Sequence, residues 1–241
     1  MKRILVLALF TFTILQGKQF PSFVQKCKLS DTNINDCLKN RAQEFSKYLA
    51  DGVRAFKIPA LKNFTIPEMK VRLPWTSGTY KNALYEPIYV YHADSFEMDL
   101  DKGIIVFNLS SPRASLRANY VLDGKLIQIP FHGEGVVTAT AENITSSITV
   151  TGKKTTRNGK EYFDFESGRF KFGKHTIKSV YFANLFDGNV ALTERINEVI
   201  FANREEMFEE FFPLLEVVMD DLVRRIFVGV FGTFSLDELF D

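Results

Sequence analysis

The chain has 241 residues, with 30 Lys and Arg against 29 Asp and Glu, and its formal net charge at neutral pH is +1. This balance argues against a nucleic-acid partner, which would favour a basic face, and gives no support for electrostatic attachment to a membrane. The apolar fraction is ordinary at 46%, but 24 residues are Phe and only Trp75 is Trp. Because Phe carries no polar group, this many rings predict a large apolar interior.

The N-terminus has the pattern of a secretory signal peptide. Lys2 and Arg3 precede an apolar stretch from Ile4 to Leu15, which fits an h-region and is too short to span a bilayer. We therefore expect a signal peptide over residues 1–17, with cleavage within a few residues of its end. The remaining residues, 18–241, are expected to form a single secreted, extracellular domain without a transmembrane segment.

Two cysteines, Cys27 and Cys37, follow the signal peptide, and each has only one possible partner within the chain. In an oxidising compartment they predict a structural disulfide rather than a nucleophile. The bond would close a loop of about eleven residues, worth roughly 3 kcal/mol in the chain-entropy model. Sequons at Asn63, Asn108 and Asn143 are candidate glycosylation sites, and we expect one or two to be used.

The first helix is predicted from Ile34 onward, because apolar residues recur there at a period of 3.6 and so lie on one stripe. Asp31 or Asn33 could cap its start, and Gly52 is a candidate end. Cys37 falls in its first turns, so the disulfide would pin the start of the helix to the segment before it. The stripe consists of Ile34, Leu38, Phe45, Leu49, Val53 and Phe56.

The segment from about residue 64 to 186 has the pattern of antiparallel strands. Asp123-Gly124 is a strong two-residue hairpin signal, and Asn158-Gly159 and Ser167-Gly168 are predicted to separate further strands. Between residues 161 and 172, Phe alternates with charged residues, which indicates one buried and one solvated face. Hairpin turns without intervening helices predict an antiparallel sheet.

A long C-terminal helix is predicted from Val190 to Val228, with a kink at Pro213. Its apolar face is broader than a coiled-coil seam, and its many charged residues exclude a membrane span. A strongly curved antiparallel sheet wrapped round the helix would cover this face, so the predicted fold class is α+β. The interior of such a fold could be fully packed or could enclose a tunnel, and the sequence leaves both open.

No motif in the sequence supports catalysis or metal binding. His92-Ala-Asp94 has no further ligand at a suitable spacing, and Gly133-Glu-Gly135 is too short for a dinucleotide fingerprint. Gly-x-Ser-x-Gly, Walker and His-Glu-x-x-His motifs are absent from the sequence. We therefore expect a monomeric protein that is not an enzyme and that binds neither a metal nor a cofactor.

The order of short motifs resembles the insect takeout and juvenile hormone binding protein family over essentially the whole mature chain. The chain is more similar to the takeout branch, because it lacks the cysteines for the second disulfide of the haemolymph hormone carriers. The motifs are Pro21-Ser22-Phe23, Cys27 to Asp31, Cys37, Gly52-Val53, Ile58 to Leu61, Asn184 to Asn189, Leu192, Asn197, Arg225-Ile226-Phe227 and the Phe-rich tail to Phe240.

The resemblance implies a long helix wrapped in a curved antiparallel sheet, and the carriage of a small hydrophobic molecule in an internal tunnel. It assigns the family's N-terminal cysteine pair to Cys27 and Cys37, and it makes the N-terminal helix a candidate lid. Residues expected to line the cavity are Leu49, Val53, Phe56, Phe201, Phe208, Phe211, Phe212, Leu215 and Met219.

Three functions are compatible with the sequence. The first is a secreted carrier of an apolar ligand such as a juvenile-hormone-like terpenoid, a quinone or a fatty acyl lipid. The second is a hydrolase of lipid esters, although the sequence contains no nucleophile motif. The third is a signalling module that binds a receptor or a membrane surface through the Phe-rich tail, namely Phe227, Phe231, Phe234 and Phe240.

Overall fold

The computed structural model describes residues 19–126 and 128–241, so the signal peptide predicted over residues 1–17 lies outside the described residues. The helices are α1 (Ile34–Leu49), α2 (Val190–Ala202), α3 (Arg204–Phe231) and α4 (Leu236–Leu239), with a 3₁₀ turn at Arg54–Phe56. The strands are β1 (Thr65–Leu73), β2 (Thr76–Glu86), β3 (His92–Asp99), β4 (Ile104–Leu126), β5 (Ile129–Arg157), β6 (Lys160–Phe172) and β7 (Thr176–Phe182).

All the strands belong to one antiparallel, open sheet. Its order is β1-β2-β4-β5-β6, and β3 pairs with β4 while β7 pairs with β5. The central strands β4 and β5 have 23 and 29 residues, and β5 would extend about 95 Å if it were straight. Register shifts interrupt the β2–β4, β3–β4, β5–β6 and β5–β7 ladders, and such bulges bend and twist strands. The sheet therefore curves around the C-terminal helices, which confirms the predicted α+β class.

Polar side chains of α2 and α3 hold these helices against the backbone of the outer strands. Asp220 Oδ1 accepts a hydrogen bond from the Phe170 backbone N–H at 2.6 Å. Asn197 accepts from Phe182 N–H at 2.8 Å and donates to the carbonyl of the same residue at 2.9 Å. These contacts pair backbone N–H and C=O groups of edge strands that have no neighbouring strand on that side. They therefore hold the edges of the sheet against the helices.

Buried apolar residues form two clusters, one at each end of the molecule. One contains α2 and the first half of α3 against β1, β2, β4, β5 and β7, with Tyr120 and Leu122 at its centre. The other contains α1, the end of α3 and the C-terminal tail against β3 to β6, with Phe163 and Phe234 almost fully buried. The site described below lies in this second cluster.

The N-terminal helix lies where it was predicted, but neither candidate residue caps its first backbone N–H groups in the expected way. It spans Ile34–Leu49, and Gly52 follows with a φ of 77°. The side chain of Asn33 makes no capping hydrogen bond to the helix, and Asp31 Oδ1 instead accepts from the Asn33 backbone N–H at 2.9 Å.

One hairpin prediction is confirmed and one is wrong by a few residues. Asn158 and Gly159, with φ of 52° and 76°, form the turn between β5 and β6. Asp123-Gly124, in contrast, lies inside β4, which continues to Leu126 before the chain turns into β5. A Cβ on Gly124 would lie 2.4 Å from the Trp75 carbonyl oxygen, so this glycine allows a close approach of two backbones rather than a turn.

The predicted break at Ser167-Gly168 is also wrong, because both residues lie within β6. A Cβ on Gly168 would lie 3.0 Å from Val223 Cγ1, so the glycine makes room for α3 where it crosses the strand. Ser167 Oγ pairs with Thr151 Oγ1 across the ladder at 2.8 Å.

The single C-terminal helix that the sequence predicts is divided into α2 and α3. Pro213 lies inside α3, whereas the chain breaks at Asn203 between α2 and α3. The Arg204 side chain donates to the carbonyls of Ile177 and Phe201 at 2.9 and 2.8 Å. The break is therefore fixed by a tertiary contact with β7, which the helical periodicity does not contain.

Candidate functional site

A cavity of about 300 Å³ lies at the end of the molecule that α1 covers. Its walls are the inner face of α1, the last turns of α3, the C-terminal tail and the inner faces of β4, β5 and β6. Nearly all of its lining is apolar. The polar side chains in the lining are Gln25, Lys26, Arg41, Tyr85, Tyr91, Ser111 and Ser146.

The helix α1 forms the cover of the cavity through its apolar stripe. Several polar contacts tie this helix to β3 and the segment before it. Asn35 Oδ1 accepts from Met98 N–H at 3.1 Å, and Gln43 bonds both Tyr91 O and Ala93 N–H, at 3.0 and 2.7 Å. The residues of α1 that face the cavity are Leu38, Arg41, Ala42, Phe45 and Leu49.

The wall opposite α1 is formed by α3 and the tail. The α3 residues repeat at helical spacing, so one face of the helix lines the cavity over three turns. This wall contains Met219, Leu222, Val223, Ile226, Phe227, Val230, Phe231, Leu239 and Phe240.

The predicted disulfide is present and lies beside the cavity. Cys27 and Cys37 are bonded, and Cys27 is itself part of the lining. Cys27 O accepts from Asp241 N–H at 2.9 Å, and Asp241 O accepts from Leu29 N–H at 3.0 Å. The N-terminal segment, the start of α1 and the end of the chain are thus joined at one rim of the cavity.

Two tyrosines in the lining are held in their neutral form. Burial raises the pKa of Tyr85 to about 12 and also raises the pKa of Tyr91. The hydroxyl of Tyr91 donates to the Ala42 carbonyl of α1 at 2.8 Å, which adds a further contact between cover and sheet. At physiological pH these phenols act as hydrogen-bond donors and acceptors, not as charges.

Smaller cavities of about 30, 40 and 10 Å³ lie toward the other end of the molecule. Tyr85 and Phe172 line the large cavity and also the two cavities of about 30 and 10 Å³. Phe208 and Leu116 lie between the cavities of about 30 and 40 Å³ and line both. The interior is therefore a row of cavities divided by side chains.

The residues predicted to line a cavity are distributed along this row. Leu49, Phe56 and Met219 line the large cavity. Phe208, Phe211, Phe212 and Leu215 line the smaller ones.

The two remaining predictions, Val53 and Phe201, do not correspond to lining positions. Val53 is buried and bridges Ile58 through its backbone, outside the linings of the described cavities. Phe201 lies on the surface, 41% exposed, with the Arg204 guanidinium 4.4 Å from its ring centroid. Its place on the helical stripe does not bury it, because α2 turns that side toward solvent before the break at Asn203.

Three parts of the cavity lining were not predicted from the sequence, namely the strand residues, the tail and the polar rim. Ser111 and Ser146 lie on β4 and β5 and face the cavity, although strand alternation alone gives no sign of which apolar face is hollow. Arg41 interrupts the apolar stripe of α1 at a position that faces inward. That interruption was a signal in the sequence, since a charge on the buried side of an amphipathic helix needs a partner.

Three further predictions concern histidines, metals and membranes. None of the three histidines lines the large cavity, and His132 instead pairs with Asp123 at 2.7 Å, where hydrogen bonding to that carboxylate raises the pKa of the imidazole. Across residues 19–126 and 128–241 no cluster of potential ligands could hold a metal ion. No helix in that part of the chain combines the length and hydropathy needed to cross a membrane.

The sequons occupy two kinds of position. Asn63 and Asn143 are exposed and have positive φ, as expected at turns and bulges. Asn108 lies in β4, partly buried, and its Nδ2 donates to Ser95 Oγ at 2.9 Å. Use of Asn63 or Asn143 by a glycan therefore requires less rearrangement than use of Asn108, and glycosylation at each site stays a prediction.

The fold encloses helices in one curved antiparallel sheet and leaves an apolar cavity between them. It therefore defines the class of α+β proteins whose interior can accommodate hydrophobic molecules. The family model described as "Haemolymph juvenile hormone binding protein (JHBP)" matches residues 4–241. The chain belongs to this family, whose members bind small hydrophobic ligands, and the resemblance inferred from the sequence is confirmed.

Individual relatives support the same assignment at low identity. The "Circadian clock-controlled protein daywake" of Drosophila yakuba is 23% identical over 235 residues, which cover 92% of this chain and 88% of that protein. The daywake protein of Drosophila melanogaster is also 23% identical, with the same coverage. The crystal structure of Epiphyas postvittana Takeout 1 superimposes with a TM-score of 0.76 at 19% identity, covering 90% of this chain and all of that one.

Proposed function

We propose that this protein is a secreted, monomeric carrier that binds a small hydrophobic ligand in the large cavity beneath α1. The observation that carries the proposal is the cavity itself, which has about 300 Å³ and an almost entirely apolar lining. A fatty acyl lipid, a terpenoid or a quinone fits this chemistry. Each buried CH₂ contributes about 0.8 kcal/mol, so a chain of roughly 15–20 carbons could reach micromolar affinity after the costs of association.

The Phe-rich tail supports the carrier and counts against the surface-binding alternative. Phe231, Phe234 and Phe240 are all buried, and Phe227 lines the cavity. The tail is thus part of the cavity wall, and its rings are not available to a receptor or membrane in this conformation. Deleting it would remove the site, so it cannot serve as a test of the alternative.

A pair of substitutions on β4 tests whether the cavity binds the ligand. Ser111 lines the cavity, whereas the neighbouring Ser110 points to the other face and its Oγ donates to Asp94 at 3.0 Å. Ser111→Phe should occupy part of the cavity and weaken binding of a fluorescent fatty acid by about tenfold or more. Ser110→Phe is the matched control and should leave the affinity within about twofold of wild type.

Equal affinities of the two variants would contradict binding in this cavity. Secretion and the natural ligand need a separate measurement. Native mass spectrometry of protein purified from its own secretory source should show a chain without its first residues and an additional lipid-sized mass. A purified chain that retains residues 1–17 would contradict export by signal cleavage.

A further inference from the structure

The charged side chains at the rim of the large cavity carry a second inference. Among the described residues that line it, only Lys26 and Arg41 are charged, and both are cationic. No Asp or Glu of residues 19–126 and 128–241 is part of the lining. A purely apolar ligand gives no reason for this bias, because cations at the edge of an apolar cavity lose hydration that an apolar ligand does not replace.

The hydrogen bonds of Arg41 are incomplete. Its Nη1 donates to Gln25 Oε1 at 2.5 Å and to Glu44 Oε2 at 2.6 Å. Its Nε–H is buried and has no hydrogen-bond partner, and no other side-chain nitrogen or oxygen in the described part of the chain is buried in this state. A buried unsatisfied donor on a charged group is costly, so the arrangement favours the arrival of an acceptor.

Lys26 also has an incomplete set of partners. Its Nζ lies 3.8 Å from Asp241 Oδ1 and 5.4 Å from the ring centroid of Phe20. The ion pair with Asp241 is long and the carboxylate is mostly exposed, so it neutralises the ammonium only in part. Lys26 and Arg41 have side chains 28% and 27% exposed, which leaves them room to turn toward a ligand at the rim.

We propose that the ligand is an amphipathic molecule with a carboxylate head, and that Arg41, assisted by Lys26, binds this head at the rim while the apolar chain fills the cavity. The guanidinium supplies paired N–H donors whose geometry matches a carboxylate, and charge-assisted bonds of this kind are stronger than neutral ones. A rotation of the Arg41 side chain would bring its unpartnered Nε–H to this carboxylate. The proposal rests on the carrier function and specifies its ligand class as a free apolar acid, not an ester, a hydrocarbon or a quinone.

The test compares two acids with their methyl esters, since an ester keeps the chain and loses the charge. Hexadecanoic acid and phytanic acid represent straight and branched chains, and each is titrated against the full-length mature protein with its methyl ester alongside. We expect at least one acid to bind about tenfold or more tightly than its ester. Comparison of the two acids identifies which chain shape the cavity accepts.

Variants then assign the preference to the rim. Arg41→Met should weaken binding of the preferred acid by about tenfold to a hundredfold while changing the affinity for its ester by less than about twofold. Lys26→Met should have a smaller effect of the same kind. Lys39→Met removes a cation from the same helix that is paired with Asp36 outside the cavity lining, and it should change neither affinity.

The outcomes separate this proposal from the carrier function. If acids and esters bind wild-type protein equally well, the carboxylate site is wrong and the carrier stands. An equal loss for acid and ester in Arg41→Met would assign that residue a structural role only and would also overturn the proposal. If none of the four compounds binds, the carrier function itself fails for chains of this length. The comparison of acids with their esters on the wild-type protein tests the carboxylate site even if Arg41→Met does not fold.

Discussion

A single carboxylate holds the C-terminal tail, and with it one wall of the cavity. Glu238 Oε2 accepts from the backbone N–H and the hydroxyl of Ser235 at 2.9 and 2.8 Å, and Lys160 Nζ lies 3.2 Å from Glu238 Oε1. The hydrogen bonds from Ser235 and then the contact with Lys160 lower the pKa of Glu238 to about 2. Leu239 and Phe240 follow directly and line the cavity, so the ionised carboxylate stabilises their position.

We expect the stability supplied by Glu238 to depend on pH. A carboxyl with a lowered folded-state pKa stabilises the fold above its unfolded value, here 4.5, and loses this effect as the pH falls toward about 2. Glu238→Gln should lower the urea midpoint at pH 7, and the difference from wild type should shrink between pH 4.5 and pH 2. Asp237→Asn, which alters a weaker contact to the same lysine at 3.8 Å, is the control. A difference that does not change with pH would show that the charge is unimportant.

At the scale of elements, α1 is the part of the cavity wall that can move away from the sheet by breaking a small number of contacts. It is joined to the rest of the molecule by the disulfide at its first turns and by the hydrogen bonds of Asn35 and Gln43 to β3. Tyr91, just before β3, adds hydrogen bonds with the side chain of Gln43 and the carbonyl of Ala42. It contributes no strand to the sheet, so its displacement would leave every ladder intact. These properties suit a lid whose opening admits the ligand.

Loss of the disulfide is therefore expected to affect ligand retention more than global stability. In Cys27→Ser/Cys37→Ser, ligand dissociation should be faster by roughly tenfold, because the bond joins the start of α1 to the segment at the cavity rim and so opposes local opening of the lid. Stopped-flow displacement of a fluorescent fatty acid measures the rate, and circular dichroism in urea measures unfolding of the sheet. An unchanged dissociation rate with a lower urea midpoint would show that the bond serves stability alone.

The bounds of helices and strands were predictable where they depend on the local residue pattern. They were not predictable where they depend on contacts with residues distant in the chain. The apolar stripe of α1 and the turn at Asn158-Gly159 depend on periodicity and on backbone conformations that these residues adopt readily. Gly124 and Gly168 carry the same local signal as turn glycines, yet they serve close contacts with Trp75 and Val223. The break at Asn203 likewise depends on the hydrogen bond of Arg204 to β7.

At the scale of the whole molecule, the interior is a row of cavities whose divisions set the length of chain that can be accommodated. Phe172 stands between the large cavity and its smaller neighbours, with its ring 4.8 Å from Phe212 and 4.9 Å from Phe170. A side chain in this position limits how far a ligand reaches toward the other end. The length selectivity of the carrier is therefore a property of a few ring positions, not of the fold.

Phe172→Ala should join the large cavity to its neighbours and shift the preference toward longer acyl chains. Each additional buried CH₂ contributes about 0.8 kcal/mol, so the gain should appear as a steeper rise in affinity with chain length. Phe163→Ala, on the same strand, removes an equal volume from a buried position outside the cavity lining and is the control. Phe163→Ala should lose about 3–5 kcal/mol of stability, and Phe172→Ala should lose less because its side chain is only partly buried. Calorimetric titration of a series of fatty acids should separate the two variants. The same length preference in both would contradict a dividing role for Phe172.

From the amino-acid sequence we could predict the family, the α+β class, the single possible cysteine pairing and the apolar faces of the helices and strands. These follow from motif order, composition and periodicity, which are local properties of the chain. Which apolar residues surround empty space depends on the folded structure, because a cavity is a small difference between the volumes of side chains contributed by distant elements. For this reason Phe201 lies on the surface and Phe212 borders a minor cavity. Ser111 borders the large cavity although no pattern in the sequence marks it, and Arg41 is marked only by its interruption of the apolar stripe of α1.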